Sequence, residues 1–398
     1  MPILVVAIVA MLVQQTVATT AKVGLPAMFP AVAADLGFDP NFVLVYTAGN
    51  AALGILVTAG CGGAIRRWGA LRVSQAGCGL MALGLSAAAL LAQPWLVLPP
   101  LVLAVALNAS GSTVATPASS QILAKYAPPK WAPLVFSIKQ TGVPAGLAIS
   151  GFVLAPLAVA YGWRVALLAL AALCILIAAG LQPVREEFDR DRDPTARPRF
   201  ADFPRTIRDV LAAREARAMA LGAFCFVGMQ SLYMNYTITY LHEAMDFDLE
   251  AAGAMFGAAT LVAIPARIFW GWLGSTFVRP RHLLAALAVV MAFSTAAMGA
   301  FDKTWSETAI LAVAALVSAT VVSWHGVLLS ESARAAPPGE AGRITGGVLA
   351  FGSAGQVVFP QMFGAGLAAG GYQAAYVVIA VPAALVAVYL LKTDRPGA

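Results

Sequence analysis

The stretch VREEFDRDRDPTARPRFADFPRTIRDVLAAREAR occupies residues 184–217 and separates two long apolar regions. It holds nine arginines and is the one long polar stretch in a chain that is 60% apolar and only 11% charged. An ordinary soluble domain has a charged fraction of about 25%. The stretch therefore predicts a linker between two membrane-embedded halves.

The apolar runs on either side of this linker are long enough to cross a bilayer. A spanning helix takes about 20 to 25 residues, and the 398 residues hold six such runs on each side. We predict an all-α polytopic membrane protein with twelve transmembrane helices: an N-terminal six-helix bundle over 1–182, a linker over 183–217, and a C-terminal six-helix bundle with a short tail over 218–398. The predicted spans are 3–32, 42–64, 73–92, 97–124, 131–158, 163–182, 218–242, 250–273, 282–300, 307–330, 344–368 and 371–391.

The basic residues indicate the orientation in the membrane. With the N-terminus inside, the cytoplasmic loops, linker and tail hold 20 of the 25 lysines and arginines, and the outer loops hold only Arg164 and Lys303. The positive-inside rule then places both termini and the linker in the cytoplasm. The expected location of the protein is the inner (plasma) membrane of the cell. Because the basic residues lie in short turns, the net charge of +6 does not indicate a nucleic-acid partner.

Several classes of site are not expected. The four cysteines lie in or beside apolar runs, with no C-x-x-C pair and no histidine at ligand spacing, which predicts buried free thiols and no metal site. No G-x-x-x-x-G-K-[ST] run exists, so neither nucleotide drive nor another cofactor is expected. The chain enters its first apolar run without a basic segment, so this run is predicted to be a span rather than a cleaved signal peptide.

Weak internal repeats relate the two halves. The fifth span contains FSIKQTGVPAG at 136–146 and the eleventh contains LAFGSAGQ at 349–356, while GGAIRRWG at 62–69 corresponds to GWLGSTFVR at 271–279. With this layout, the chain resembles the major facilitator superfamily of secondary transporters over essentially its whole length. The resemblance implies alternating access, a lipid bilayer as the surroundings, and a monomer.

The loop after the second span matches the family's G-x-x-x-D-R-x-G-R signature in part. Gly62, Arg67 and Gly69 fit the pattern, but Arg66 stands at the acidic position, as does Ser275 in the second half. In the family, that aspartate helps latch the inner gate. This chain is therefore expected to latch differently or more loosely.

A second family motif lies in the fifth span. Gly142, Pro144 and Gly146 resemble the G-P-x-x-G motif of the family's antiporters, with a valine inserted between the first glycine and the proline. The resemblance implies that these residues take part in gating, and it favours exchange.

Three cations remain inside the predicted spans: Lys22, Lys139 and Arg267, while every acidic residue lies in or beside a loop, the linker or the tail. A charge at bilayer depth costs at least about 2.5 to 3.5 kcal/mol, so these cations are candidates for function. The charge balance predicts an electropositive cavity whose counter-charge is the substrate. The alternative is that Lys139 or Arg267 reaches the inner headgroups, or Lys22 the outer water.

Helices five and eight face each other in the family, which implies that Lys139 and Arg267 bind one anion from opposite halves. A guanidinium suits bidentate capture of a carboxylate, and an ammonium supplies a point charge. Further candidates for substrate contact are polar groups of the first, fourth, fifth, seventh and eleventh spans. They are Gln15, Asn108, Gln140, Tyr233, Tyr236 and Gln356. For the tyrosines, helix packing is the alternative.

His325 is the histidine expected in the membrane, where it either couples transport to protons or packs as a hydrogen-bonded side chain. The function that fits these features best is secondary transport of a small organic anion, a carboxylate above all, by exchange or proton symport. An exporter of neutral or hydrophobic drug-like compounds is the alternative. A membrane enzyme is not expected, because no acid, base or metal constellation lies at membrane depth, and a sensor is not expected because the linker is too short for a signalling domain.

Overall fold

The computed structural model describes residues 3–38, 42–197 and 202–392 of the chain. Linker residues 198–201 and the tail beyond Lys392 lie outside the described residues. Within them nearly every residue is helical, and extended pairing is limited to an isolated bridge between Gln93 and Leu96.

The twelve predicted spans are confirmed in number and order. Nine helical segments of the described chain are long and apolar enough to cross a membrane. The last of these, Ala341–Lys392, bends at Gly370 and Gly371 and supplies two spans; Gly371 has a φ of 72°, which favours glycine. The helices Phe42–Gly60 and Arg214–Met245 supply the other two.

The first half of the chain forms twelve helices, several of them short. They are α1 (Ile3–Ala27), α2 (Phe29–Leu36), α3 (Phe42–Gly60), α4 (Gly62–Trp68), α5 (Ala70–Leu91), α6 (Leu98–Thr113), α7 (Ala115–Tyr126), α8 (Ala132–Gln140), α9 (Gly142–Ile149), α10 (Ala155–Tyr161), α11 (Trp163–Gly180) and α12 (Arg185–Phe188).

The second half adds eight helices, which begin inside the linker. They are α13 (Asp202–Ala212), α14 (Arg214–Met245), α15 (Leu249–Leu261), α16 (Ala263–Thr276), α17 (Pro280–Gly299), α18 (Glu307–Val317), α19 (His325–Arg334) and α20 (Ala341–Lys392). Two π-helical turns, Ser150–Leu154 and Ser318–Val322, interrupt the spans.

The chain divides into two compact units. Unit 1 comprises Met1–Ala127, Lys139–Arg208 and Ala336–Ala350, and unit 2 comprises Pro128–Ile138, Asp209–Ala335 and Phe351–Ala398. In unit 1, α1 packs against α9 and α7, and α5 packs against α6 and α11. In unit 2, α14 packs against α15 and α19, and α18 packs against α15 and α17.

Several predicted spans are interrupted in the structure, and three of the breaks share a position relative to a proline. Proline has no N–H, and its ring displaces the carbonyl four residues earlier, so an α-helix bends or breaks before it. Each of these three breaks lies three residues before a proline: at Val114 before Pro117, at Thr141 before Pro144, and at Val262 before Pro265.

Candidate functional site

The buried cation of unit 1 is held by neutral side chains. Lys139, at the end of α8, is 1% exposed. Its Nζ donates to Gln15 Oε1 of α1 at 2.6 Å and to Gln140 Oε1 at 3.5 Å. Gln15 Oε1 also accepts from Thr116 Oγ1 at 3.1 Å, so the amide joins three helices around the ammonium.

A polar face runs along α1 from this cluster. Gln15 Nε2 donates to Thr19 Oγ1 at 3.3 Å, and Lys22 follows at helical spacing on the same face. Thr19 is buried, whereas Lys22 is exposed. Lys22 lies seven positions after Gln15, which is about 10 Å along the helix at the rise of 1.5 Å per residue. Unit 1 therefore carries a cation at each end of a short polar track.

The glycines of the fifth span pack α9 tightly on α1. A Cβ on Gly142 would lie 2.9 Å from the Leu12 carbonyl oxygen, and one on Gly146 would lie 2.6 Å from the Thr16 carbonyl oxygen. Pro144 lies between them, after the break at Thr141. Their gating role stays a prediction, and their position shows that any side chain at either glycine would displace α1 from the Lys139 cluster.

Asn108 of α6 is fully buried, and its side chain makes hydrogen bonds within unit 1. Its Nδ2 donates to the Ala21 carbonyl at 2.8 Å and to Tyr46 Oη at 3.4 Å. Gln14, beside Gln15, is also fully buried, but neither of its amide atoms has a hydrogen-bond partner among the described residues. Of the two adjacent glutamines of α1, Gln15 thus has partners for both amide atoms and Gln14, among the described residues, for neither.

The buried cation of unit 2 is fixed by the backbone. Arg267 of α16 is 1% exposed, and its Nη2 donates to the Val322 carbonyl at 2.5 Å. One turn on, Trp270 Nε1 donates to the Ala319 carbonyl at 2.6 Å. Both acceptors belong to the π-helical turn Ser318–Val322, where the wider hydrogen-bond spacing makes carbonyls available to side chains.

The tyrosines of α14 are engaged in packing within unit 2. Tyr233 Oη donates to the Ala314 carbonyl at 3.4 Å, and Tyr240 Oη donates to the Met298 carbonyl at 2.7 Å. Tyr236 is half-buried and lies against Phe363, with ring centroids 5.3 Å apart.

Two other predicted contacts lie in unit 2. Gln356 of α20 is exposed. His325 is half-buried, and its ring stacks on Trp324 with centroids 3.8 Å apart and an interplanar angle of 16°.

At the loop between α4 and α5, a basic residue stands where the family signature has an acidic one. Arg66, at the acidic position of the family signature, forms ion pairs with Asp193 at 3.3 Å and with Glu340 at 3.5 Å. Arg67 Nη1 donates to the Ala196 carbonyl at 2.8 Å. A Cβ on Gly62 would lie 2.6 Å from Arg343 Cβ, so this glycine is in close contact with the start of α20.

A linker carboxylate that was not among the predicted site residues lies at the same loop. Asp189 accepts from the backbone N–H of Leu71 at 2.7 Å and of Arg72 at 3.0 Å, at the start of α5. Gly69 has a φ of 96°, and a Cβ there would contact the Asp189 carboxyl. Burial raises the pKa of the Asp189 carboxyl, although both hydrogen bonds lower it. The missing acid at position 66 was the signal that a carboxylate had to come from elsewhere.

At the corresponding loop of unit 2, a serine hydroxyl makes the polar contact. Ser275 Oγ accepts from the Leu134 N–H at 3.1 Å, in the first turn of α8 where backbone N–H groups lack intrahelical partners. Arg66 thus pairs with acids where the family signature has an acid, and Ser275 accepts from a backbone N–H; that this chain latches differently stays a prediction.

Among the described residues, the buried carboxylates are Asp189 and Glu331. Asp189 binds the start of α5, and Glu331 pairs with Arg334 at 2.8 Å near the end of α19. Both lie at the ends of spans, so buried cations outnumber buried carboxylates in the interior of the described helices.

The comparisons with known proteins agree with this architecture. The sequence model of the Major Facilitator Superfamily matches residues 6–360. A stretch of 136 residues is 33% identical to a protein of Mycobacterium tuberculosis named "Probable nitrate/nitrite transporter NarK2", and this match covers 33% of each chain. The match thus spans about a third of that relative's length.

Solved structures resemble the whole chain. A crystal structure of the E. coli fucose:proton symporter FucP has a TM-score of 0.75 at 16% identity and covers 98% of both chains. The human organic anion transporter MFSD10 has a TM-score of 0.72 at 15% identity over 97% of this chain and 98% of its own. A bacterial homologue of the iron transporter ferroportin has a TM-score of 0.80 at 12% identity over 99% of both. At these identities, the likeness concerns the fold alone.

Proposed function

Since this chain belongs to the Major Facilitator Superfamily, whose members are transporters rather than enzymes, we propose that it moves a small anion across the membrane by secondary, alternating-access transport. It is a multi-pass membrane protein, which we propose lies in the inner membrane, and the positive-inside rule supports an orientation with both termini in the cytoplasm. The substrate class proposed is a planar anion such as a carboxylate.

The observation that carries this proposal is the excess of buried cations. Lys139 and Arg267 are each 1% exposed, and the buried carboxylates of the described residues lie at span ends. A membrane-embedded cation is costly, and an anionic substrate offsets part of this cost when it binds. Bound substrate would therefore stabilise the protein as well as occupy the site.

The two cations would recognise an anion in different ways. The planar guanidinium of Arg267 can donate two parallel hydrogen bonds to a carboxylate or to nitrate, which present coplanar oxygens. The ammonium of Lys139 accepts many geometries, and Gln15 orients it. The relative named as a nitrate/nitrite transporter supports an anion, and it widens the proposed class from organic carboxylates to small inorganic oxyanions.

Exchange and proton symport remain the two proposed modes. The Gly142-Val143-Pro144-Ala145-Gly146 segment resembles an antiporter motif and favours exchange. His325 is the proposed proton-coupling group under the symport mode. The two modes differ in what the opposite compartment must contain.

The test is transport by the purified chain in proteoliposomes. Uptake of a labelled carboxylate is measured with and without trapped unlabelled anion, at two lumenal pH values, and with nitrate or a neutral drug-like compound as competitor. We expect saturable uptake that carboxylates or nitrate inhibit and the neutral compound does not. Dependence on trapped anion identifies exchange, and dependence on the pH gradient that disappears in His325→Gln identifies symport. Export of the neutral compound without anion flux contradicts the proposal.

A further inference from the structure

A groove in unit 1 combines an apolar floor with a basic mouth. It has a volume of about 470 Å³ and is lined by residues of α4, α5, α6 and the adjoining turn. Trp68 and Arg72 lie at one end, and Ala76 and Leu80 continue along α5. From Arg72 to Leu80 the helical rise gives a length of about 12 Å.

The floor of the groove is set by a close helix contact. A Cβ on Gly77 would lie 2.7 Å from the Gly111 carbonyl oxygen and 2.9 Å from Val114 Cγ2. Because α5 and α6 approach so closely there, their contact closes the groove on that side. Ser110, the one hydroxyl in its lining, already donates to the Ala106 carbonyl at 2.7 Å. The interior of the groove thus favours a hydrocarbon chain over a polar ligand.

The mouth carries a cation that is available to a ligand. Arg72 is exposed, and among the described residues no hydrogen bond or ion pair is made by its guanidinium; its backbone N–H is fixed by Asp189. Trp68 is 49% exposed beside it, and tryptophan is enriched at the level of the headgroups. The positive-inside rule assigns this end of α5 to the cytoplasmic leaflet, which is rich in anionic lipids.

We propose that this groove binds one anionic phospholipid of the cytoplasmic leaflet, with the phosphate at Arg72, the headgroup region beside Trp68, and an acyl chain along Ala76 and Leu80. A zwitterionic lipid fills the apolar floor equally well but gains less at the guanidinium. The bound lipid adds a contact at the loop between α4 and α5, next to the Asp189 carboxylate.

Native mass spectrometry of the full chain tests this proposal, after exchange into mixed phosphatidylglycerol and phosphatidylcholine. One phosphatidylglycerol is expected to stay bound to the native chain. Arg72→Gln should lower its retention about fivefold, the effect of one basic residue near a charged surface. Ala76→Phe should do the same by filling the groove, since Ala76 is exposed and the ring needs no repacking. Two independent exposed variants keep the test sound if one is unstable.

Two matched controls are available. Leu83→Phe enlarges a 62% exposed position of α5 outside the groove, and Arg192→Gln removes an exposed linker charge on the same side. Both should retain the lipid like the native chain. Equal retention in the native chain, Arg72→Gln and Ala76→Phe overturns the proposal. Displacement by millimolar inorganic phosphate alone also overturns it, because the site would then recognise a soluble anion.

Discussion

Each unit buries a cation inside a predicted span, and the two cations are held in different ways. Lys139 of unit 1 donates to the side-chain amide of Gln15, whereas Arg267 of unit 2 donates to the backbone carbonyl of Val322. A side-chain acceptor can change rotamer or be replaced by mutation, but a carbonyl in a π-helical turn moves only with its helix. Arg267 is therefore the fixed cation and Lys139 the adjustable one.

The two loops that correspond in the internal repeat also differ between the units. Unit 1 uses exposed ion pairs of Arg66 and a linker carboxylate, while unit 2 uses the Ser275 hydroxyl. Exposed ion pairs contribute little stability and weaken with salt, whereas a hydrogen bond to an unpaired helix N–H does not depend on salt. Corresponding sequence positions of the two units thus make different kinds of contact.

The largest expected effect separates the two cations. Arg267→Gln should reduce anion flux about a hundredfold or more, since it removes the charged donor to the anion, and two charge-assisted hydrogen bonds of about 1.5 kcal/mol each correspond to that factor. Lys139→Gln should reduce flux less, because Gln15 and Thr116 remain to bind the new amide. Initial rates in proteoliposomes measure both. A larger loss for Lys139→Gln would reverse the assignment of the fixed cation.

The adjacent glutamines of α1 give the next prediction. Gln15→Leu removes the closer acceptor of the Lys139 ammonium and leaves Gln140 Oε1 at 3.5 Å, and a hydrogen bond to a charged group contributes about 1.5 to 3 kcal/mol. We expect KM for the anion to rise about tenfold or more. Gln14→Leu is the matched control, because its buried amide has no partner among the described residues; it should keep the native KM and unfold at the same or a higher temperature. Equal effects would show that burial, and not the contact to Lys139, matters.

The two related loops provide a smaller test. Ser275→Ala should lower the free energy of unfolding by about 1 kcal/mol, the usual effect of losing a helix-capping oxygen. The loss should be independent of salt. Thermal unfolding in detergent at low and high salt measures it, with Ser306→Ala, which removes the cap of α18, as a positive control. A Ser275→Ala protein as stable as the native chain would show that Leu134 N–H finds another acceptor.

Arg66 gives the smallest expected effect. Arg66→Ala breaks two ion pairs, with Arg66 itself 43% exposed, so the stability change should stay below about 1 kcal/mol and vanish at high salt. Asp193, the acid of one pair, has a pKa lowered by Thr195 and then by Arg66. Its contribution is therefore present at neutral pH and lost as the pH falls through this lowered pKa. A salt-independent loss in Arg66→Ala would contradict this account.

The fold could be predicted from the sequence because membrane spans are long, apolar and separated by charged turns. The breaks at Val114, Thr141 and Val262 were also readable in principle from the prolines that follow them. The π-helical turn Ser318–Val322 was not, since no residue type marks such a turn. The cations inside the spans could be identified from the sequence alone, because they are the lysines and arginines that remain after those of the loops, linker and tail are counted.

The contacts of those cations could not be predicted from the sequence. Gln15 and Lys139 are 124 positions apart, and the acceptor of Arg267 is a backbone atom with no identity of its own. Asp189 is one of eight acids of the linker, and no residue type or spacing distinguishes it from the other seven. Three-dimensional packing alone distinguishes the acid that binds a helix terminus from its neighbours.

Equilibrium binding of a labelled small carboxylate, with nitrate as competitor, tests the central claim most directly because it does not require transport. The purified native chain, the double variant Lys139→Gln/Arg267→Gln and the control Arg281→Gln are compared; Arg281 is also a buried arginine of unit 2 that donates to a backbone carbonyl. We expect saturable binding by the native chain and by Arg281→Gln, and its loss in the double variant. Binding by the double variant with native affinity would contradict the account.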